Sequence, residues 1–423
     1  MRLKCLAVLA SIAAIGVIPA EAIAQSNANT VNVAVLTDMS GPYSAMGGQG
    51  SLVAAKMAIA DCLKAECKGM KINLLYADHQ NNADIAATKA REWIDRDHVE
   101  AIADLTNSSV ALAVQQVIRQ KGAIALYSGA ATTTLTEKQC APNGFHWMFD
   151  TYSQSVGPAM ALTKAGYKSW YFLTVDYAFG HSLEHDASEL IERNGGTVTG
   201  SVNFPLNAGD LSSFLVQAGG SKAQVIAIAA SGQDAVNAVK GAHQFGVGVG
   251  KQRLVAMNLF LTDVHSIGLP TAQGLTFTDG YYWDFDQGTR DFGARFASAF
   301  HGTKPTMVQA GVYSSLLHFL KARAAAKTSD WHQVVDQMRA LPINDEVMRN
   351  ASIRPDGTVI HDMYLYRVKA PSESKGPWDL LKLVSTIPAN HAFKPEDPSC
   401  PLVSAKAGQA RGQMAANNQT GSH

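Results

Sequence analysis

The sequence predicts an α/β protein of two lobes, each a parallel sheet with helices on both faces. Three observations point there. From residue 31 onward, alternating β-branched stretches take turns with stretches of helical periodicity. That rhythm restarts after about residue 150. Neither run reads as a closed eight-fold barrel, and no solenoid or propeller repeat is visible.

In the first run, strands are expected at 31–36, 72–76, 100–104 and 123–127, with helices at 41–63, 83–96 and 109–120 between them. The second run gives helix 153–165, strand 170–174, helix 179–194, strand 197–204, helix 211–218, strand 225–229, helix 234–245 and strand 254–256. Longer helices follow at 290–301, 306–327 and 331–340, then antiparallel strands at 363–369 and 380–386. From Ser404 the chain is rich in Gly, Ala, Gln and Asn and is expected to be disordered.

The first 24 residues read as an export signal. Arg2 and Lys4 give a positive start, 5–18 is an apolar run, Pro19 breaks it, and Ala22-Ile23-Ala24 is a small-x-small cleavage site. The mature chain is therefore expected to begin at Gln25. The apolar run is shorter than the roughly 20 residues of a spanning helix. Cys5 precedes that run, whereas a lipoprotein cysteine would follow it.

With 47% hydrophobic and 17% charged residues, the composition is that of a globular protein. Lys+Arg and Asp+Glu balance at 35 each, which argues against a nucleic-acid partner. Cleavage would remove Cys5 and leave Cys62, Cys67, Cys140 and Cys400, an even set in an oxidising compartment. Three pairings are open. A local Cys62–Cys67 bridge can close through a turn, with Cys140 and Cys400 pairing over a long span. Neither CxxC nor zinc-ribbon spacing occurs, so structural disulfides are expected in place of metal ligation.

Some motifs carry chemistry only on paper. His181, Glu184 and His185 match H-x-x-E-H on a predicted helix and define one alternative, an exported zinc metallohydrolase; a bare five-residue motif has a high false-positive rate. Gly246, Gly248 and Gly250 follow a helix and precede a strand, the reverse of a dinucleotide fingerprint, so they read as a helix-ending loop. No P-loop or G-x-S-x-G occurs, and no cofactor is expected.

Three loops beyond the ends of predicted strands say more. They are Asp38-Met-Ser-Gly-Pro-Tyr43-Ser-Ala-Met-Gly-Gly, Asn107-Ser108-Ser109, and Ser128-Gly-Ala130-Ala131-Thr132-Thr133. Open α/β sheets bind ligands at such loops, where helix N-termini offer free N–H groups and favour an anion. Each loop alone is also compatible with plain N-capping. Hydroxyl-rich loops on consecutive strands favour a site.

The residues also resemble a known family. GPYSAMGGQG, DHQNNADIAATKAREWIDRDHVEAI, TNSSVALAVQQVIRQKGAIALYSGAATTTLT and VDYAFGHSLEHDASELIERNGGTVTG occur in that order. Together they are similar to the leucine/isoleucine/valine-binding, type I periplasmic binding proteins of ABC importers, and the likeness spans nearly all of the mature chain. The resemblance implies two doubly wound, Rossmann-like lobes joined by three crossings and closing on a ligand by hinge motion. Lobe I would comprise 25–150 with about 284–345 returning to it. Lobe II would comprise 151–283 with about 346–390, and 391–403 would be a disulfide-tied segment. A monomeric periplasmic protein delivering a small molecule to an inner-membrane permease is implied; a ligand sensor on the same fold is the other alternative.

By the same resemblance Ser109, with Ser108, and Thr132 would grip a ligand carboxylate, with Ala130 and Ala131 lining that turn. Tyr43 would cover the site from the first loop, Tyr177 and Phe179 would close over it from the second lobe, and Gln233, Asn258 and Phe260 would lie near other cleft positions. One departure stands out. Amino-acid-binding members set a second-lobe carboxylate against the ligand ammonium, but Ala256-Met-Asn-Leu-Phe260 carries no acid, leaving Asp234 or Asp263 as substitutes. Because a buried ammonium without a counter-charge is costly, the expected ligand is a carboxylate lacking an ammonium, such as an aromatic or oxo acid.

Overall fold

A computed structural model describes residues 29–404; the expected signal, 1–24, and the expected tail beyond Ser404 lie outside the described residues. The chain opens with β1 (Thr30–Thr37), α1 (Gly48–Lys64), β2 (Lys71–Asp78), α2 (Ala83–Asp97), β3 (Val99–Asp104), α3 (Ser108–Lys121), β4 (Ile124–Tyr127) and β5 (Gly144–His146). Next come α4 (Thr151–Lys164), β6 (Ser169–Val175), α5 (Ala178–Arg193), β7 (Thr197–Phe204), α6 (Ser212–Gly220), β8 (Val225–Ala229), α7 (Gly232–Phe245), β9 (Arg253–Ala256), α8 (Leu261–Ile267), α9 (Leu269–Ala272) and β10 (Thr276–Asp279). The last third holds α10 (Gln287–Ala299), α11 (Met307–Ala326), α12 (Trp331–Ala340), β11 (Ser352–Ile353), β12 (Val359–Ile360), β13 (Met363–Val368), β14 (Leu381–Ile387) and α13 (Ala389–Ala392).

The first sheet is parallel throughout, in the order β2-β1-β3-β4-β5. The second has the order β7-β6-β8-β9, again all parallel. Central strands of such sheets are covered on both faces and so carry near-continuous apolar runs. Val31, Val33 and Val35 of β1 and all of β8 are accordingly buried. In each sheet the strand order reverses beside the first strand, between β1 and β3 and again between β6 and β8. Those reversals are where open sheets leave a crevice beyond the carboxyl ends of their strands.

The chain passes between the sheets three times. It leaves the first after β5 and returns after β10, so that α10 and α11 pack on α1. It crosses back to pair β13 with β10 and β14, both antiparallel. These are the antiparallel strands expected near the C-terminus.

Local chemistry sets where the helices begin. Asn107 Oδ1 accepts from the N–H groups of Ser109 and Val110, and Asn82 caps α2 in the same way. The glycine loop after α7 does end that helix, with Gly246 at φ +68°. One expected boundary moves: the helix read from 41 starts only at Gly48. Asp38 captures the N–H groups of Gly41 at 2.7 Å and Tyr43 at 2.8 Å, holding 38–43 as a loop. β5, β10 and α8 are not foreseen, being short and lacking a contiguous apolar run such as the one that marks β9. The cysteines form the local bridge Cys62–Cys67 and the long-range bridge Cys140–Cys400.

Candidate ligand cleft between the lobes

The carboxyl ends of both sheets face one cavity. Its first-lobe wall is Tyr43 and Met46 after β1, Thr106 and Ser108 after β3, and Gly129 and Ala131 after β4. Tyr177 and Phe179 after β6, Ser231 after β8, and Asn258 and Phe260 after β9 form the opposite wall, with Phe149 of the first crossing between them. The enclosed space is about 10 Å³, about the room of one water. The lobes stand shut on each other, so a ligand enters only if they part.

Several contacts hold the lobes together. The Tyr43 and Tyr177 hydroxyls meet at 2.5 Å. Thr132 Oγ1 lies 2.6 Å from Ser182 Oγ, and Thr133 Oγ1 donates to Asp186 Oδ2 at 3.2 Å. Gln233 N–H donates to the Pro42 carbonyl at 3.0 Å. Gly232, at φ +57°, makes that approach possible: a Cβ there would sit 2.4 Å from the Pro42 oxygen.

No residue lining the cavity carries a formal charge at neutral pH. Tyr43 and Tyr177 titrate, but burial pushes both hydroxyls well up, so both stay neutral donors. Ser108 Oγ accepts from the N–H groups of Ala131 at 3.4 Å and Thr132 at 3.3 Å. These bonds are long, and an anion can compete for the same donors. Asn258 Oδ1 accepts from Ser231 Oγ at 3.2 Å. The two acids held as substitutes for the missing counter-charge do not line the cavity. Asp234 Oδ2 accepts from Asn207 N–H at 2.9 Å while its Oδ1 is buried without a hydrogen-bond partner among the described residues, and Asp263 Oδ2 accepts from Phe260 N–H at 3.0 Å. Burial pushes both upward, Asp263 to about 7.

The periplasmic binding protein family model matches residues 30–377. The chain belongs to the periplasmic binding protein family. Its structure superimposes on a periplasmic binding protein from Burkholderia mallei with 45% identity and a TM-score of 0.85, covering 89% of this chain and 99% of that one. It also matches a branched chain amino acid ABC transporter periplasmic ligand-binding protein from Burkholderia xenovorans LB400, at 37% identity and TM-score 0.76, over 86% and 97% of the two chains. A solute binding protein of an ABC transporter from Rhodopseudomonas palustris BisB5, in complex with 3,4-dihydroxybenzoic acid, shares the fold at 20% identity and TM-score 0.76, over 85% and 98%. No curated protein matches the chain.

Within this periplasmic binding protein, Tyr43, Ser108, Ala131, Tyr177, Phe179, Asn258 and Phe260 come together around the cavity. Four expected residues do not line it. Ser109 lies one step into α3, where its N–H is taken by the Asn107 cap. Ala130 turns its carbonyl to His146 Nε2 at 2.8 Å. The Thr132 hydroxyl is engaged by Ser182 and caps the following turn. Gln233 is exposed, its amide donating along the helix to Asn237 at 2.7 Å. Met46, Thr106, Gly129 and Ser231 were missed although they sit in post-strand loops, which was the available signal. Phe149 sits in a crossing, where no local pattern marks it.

The zinc motif disperses. His181 Nε2 lies 3.0 Å from Asp176, Glu184 accepts from Thr174, and His185 leans toward Glu189 at 3.7 Å. His185, Asp186 and Glu189 do converge, but the Lys394 ammonium already sits there, 3.6 Å from Asp186, 3.5 Å from Glu189 and 3.0 Å from Glu137.

Proposed function

We propose that this chain is the periplasmic substrate-binding component of an ABC importer and that it captures a small carboxylate lacking an ammonium, an aromatic or oxo acid, between its lobes. Export by the signal at 1–24 and handover to an inner-membrane permease belong to the same reading, as does the division into lobe I, 25–150 with 284–345, and lobe II, 151–283 with 346–390. The observation that carries the ligand class is the uncharged cavity wall, which neither Asp234 nor Asp263 lines. Hydroxyl and N–H donors at Ser108 and Ala131 suit a carboxylate, and Phe149, Phe179 and Phe260 suit an apolar body. The 37% identical relative named for branched chain amino acids supports the transport role. Its name does not decide the ligand here, because no acid lines the cavity wall to meet an ammonium, and a buried ammonium without a counter-charge is costly.

A thermal-shift screen of the mature protein tests this, with benzoate, 4-hydroxybenzoate and phenylpyruvate set against leucine, isoleucine and valine. Stabilisation by the acids is expected. Stabilisation by the amino acids alone would overturn the reading.

A further inference from the structure

Asp104 ends β3 directly behind the ligand wall. Its side chain is fully buried, and neither carboxyl oxygen has a hydrogen-bond partner among the described residues. Two glycines pack against it: a Cβ on Gly129 would lie 2.6 Å from Oδ1, and one on Gly47 would lie 3.0 Å from Oδ2. Gly129 lines the cavity, and so does Thr106, two residues on from Asp104. The carboxyl therefore lies one backbone layer behind the donors that suit a ligand anion.

Among the described residues no cation acts on it. The loop after β1 contributes Asp38, whose charge disfavours a second anion, and burial disfavours it far more. From the loop after β2 comes His79, its Nε2 3.0 Å from Thr106 Oγ1 and held neutral by burial, which takes it down to about 4. α1 and β1 contribute the Ser51 and Thr37 hydroxyls, each of which favours ionisation more than Asp38 opposes it and less than burial does. The loop after β4 brings the N–H groups of Ser128 and Gly129, both spent on the Asp104 carbonyl at 3.1 Å. Burial wins this balance and lifts the Asp104 carboxyl to about 7.

We propose that Asp104 is a specificity-determining residue whose carboxyl must be protonated for the cleft to hold an anion, so that ligand capture takes up a proton. The inference rests on the carboxylate reading of the cleft. The sign follows from two effects that act together. Burial already favours the neutral acid, and a ligand carboxylate beyond Gly129 favours it further. Affinity is then full below about 7 and falls as pH rises beyond it, by up to about tenfold per pH unit.

Mature wild-type protein and Asp104→Asn decide the matter. In ligand-free wild type, a carboxyl carbon resonance absent from Asp104→Asn should titrate near neutrality by NMR; titration in the ordinary aspartate range overturns the proposal. Calorimetry with benzoate across neutral pH should show wild-type affinity weakening about tenfold or more on the alkaline side, while Asp104→Asn stays flat. Parallel pH profiles in the two proteins sink the proton coupling alone. Failure of benzoate, 4-hydroxybenzoate and phenylpyruvate to bind at any pH sinks the carboxylate reading, and the coupling with it.

Discussion

Tyr43 and Tyr177 join the two lobes hydroxyl to hydroxyl at 2.5 Å, directly over the cavity both of them line. One belongs to the loop after β1 and the other to the loop after β6, so the bond exists only while the lobes are shut. A buried neutral hydrogen bond contributes about 0.5–1.5 kcal/mol net. Tyr177→Phe should therefore weaken binding of an acid such as benzoate by up to about tenfold, chiefly through faster release. The Tyr43→Phe/Tyr177→Phe double variant should cost no more than either single change, since it leaves no hydroxyl without its partner. Stopped-flow release rates check both statements, and additive losses would contradict them.

Gly232 lets the lobes come close. A side chain at that position would strike the Pro42 carbonyl at 2.4 Å, and φ is +57°. Gly232→Ala should lose at least about tenfold in affinity by holding the lobes apart, while the backbone strain lowers stability by only about 1–2 kcal/mol. Small-angle scattering should report a more open shape. Unchanged closure and affinity would show that the contact does not govern the cleft.

Asn258 is the cavity-lining polar residue of the stretch Ala256–Phe260, where the family resemblance implies an acid in amino-acid-binding members. Its Oδ1 already accepts from Ser231, and no charge lies beside it on the cavity wall. Asn258→Asp should repel a ligand carboxylate and supply the missing partner for an ammonium. Calorimetry should show benzoate affinity falling by at least about tenfold, with leucine binding appearing. Better benzoate binding by the variant would contradict this assignment.

The Cys140–Cys400 bridge ties the C-terminal segment beside Lys394, whose ammonium joins Glu137 of the first lobe to Asp186 and Glu189 of α5. At a sequence separation of 260, these cysteines close a long loop. The Cys140→Ser/Cys400→Ser variant should lose about 2–4 kcal/mol of stability. Urea denaturation measures it. Cys62→Ser/Cys67→Ser, which opens a separation of only 5, should lose less.

Much of this was legible in the chain itself. β1, β7, β8 and α12 fall within a residue or so of their expected spans because β-branched alternation and helical periodicity are local signals. The loops that form the site were also legible, since each follows a predicted strand and is rich in small and hydroxyl residues. β5 and β10 were not: so short a strand is legible only as a contiguous apolar run, as Leu254-Val255-Ala256 is in β9, and Gly144-Phe-His146 and Thr276-Phe-Thr-Asp279 are not such runs. Thr132 and Gln233 fall short for another reason: Thr132 lies in the right loop and Gln233 just inside α7, but their side chains are taken by Ser182 and Asn237.

The sequence by itself determined two runs of parallel α/β units, the strand-end loops that build a cleft, and the lack of an acid between Ala256 and Phe260. These follow from residue type and spacing along one stretch of chain. Only the tertiary structure decided that Tyr43 meets Tyr177, that Gly232 admits Pro42, and that Asp104 is buried without a partner behind Gly129. Each depends on groups apart in the chain brought within a few ångströms, the first two by the crossings between the lobes and the third by the pairing of β3 with β4, and distances of that kind have no local signature.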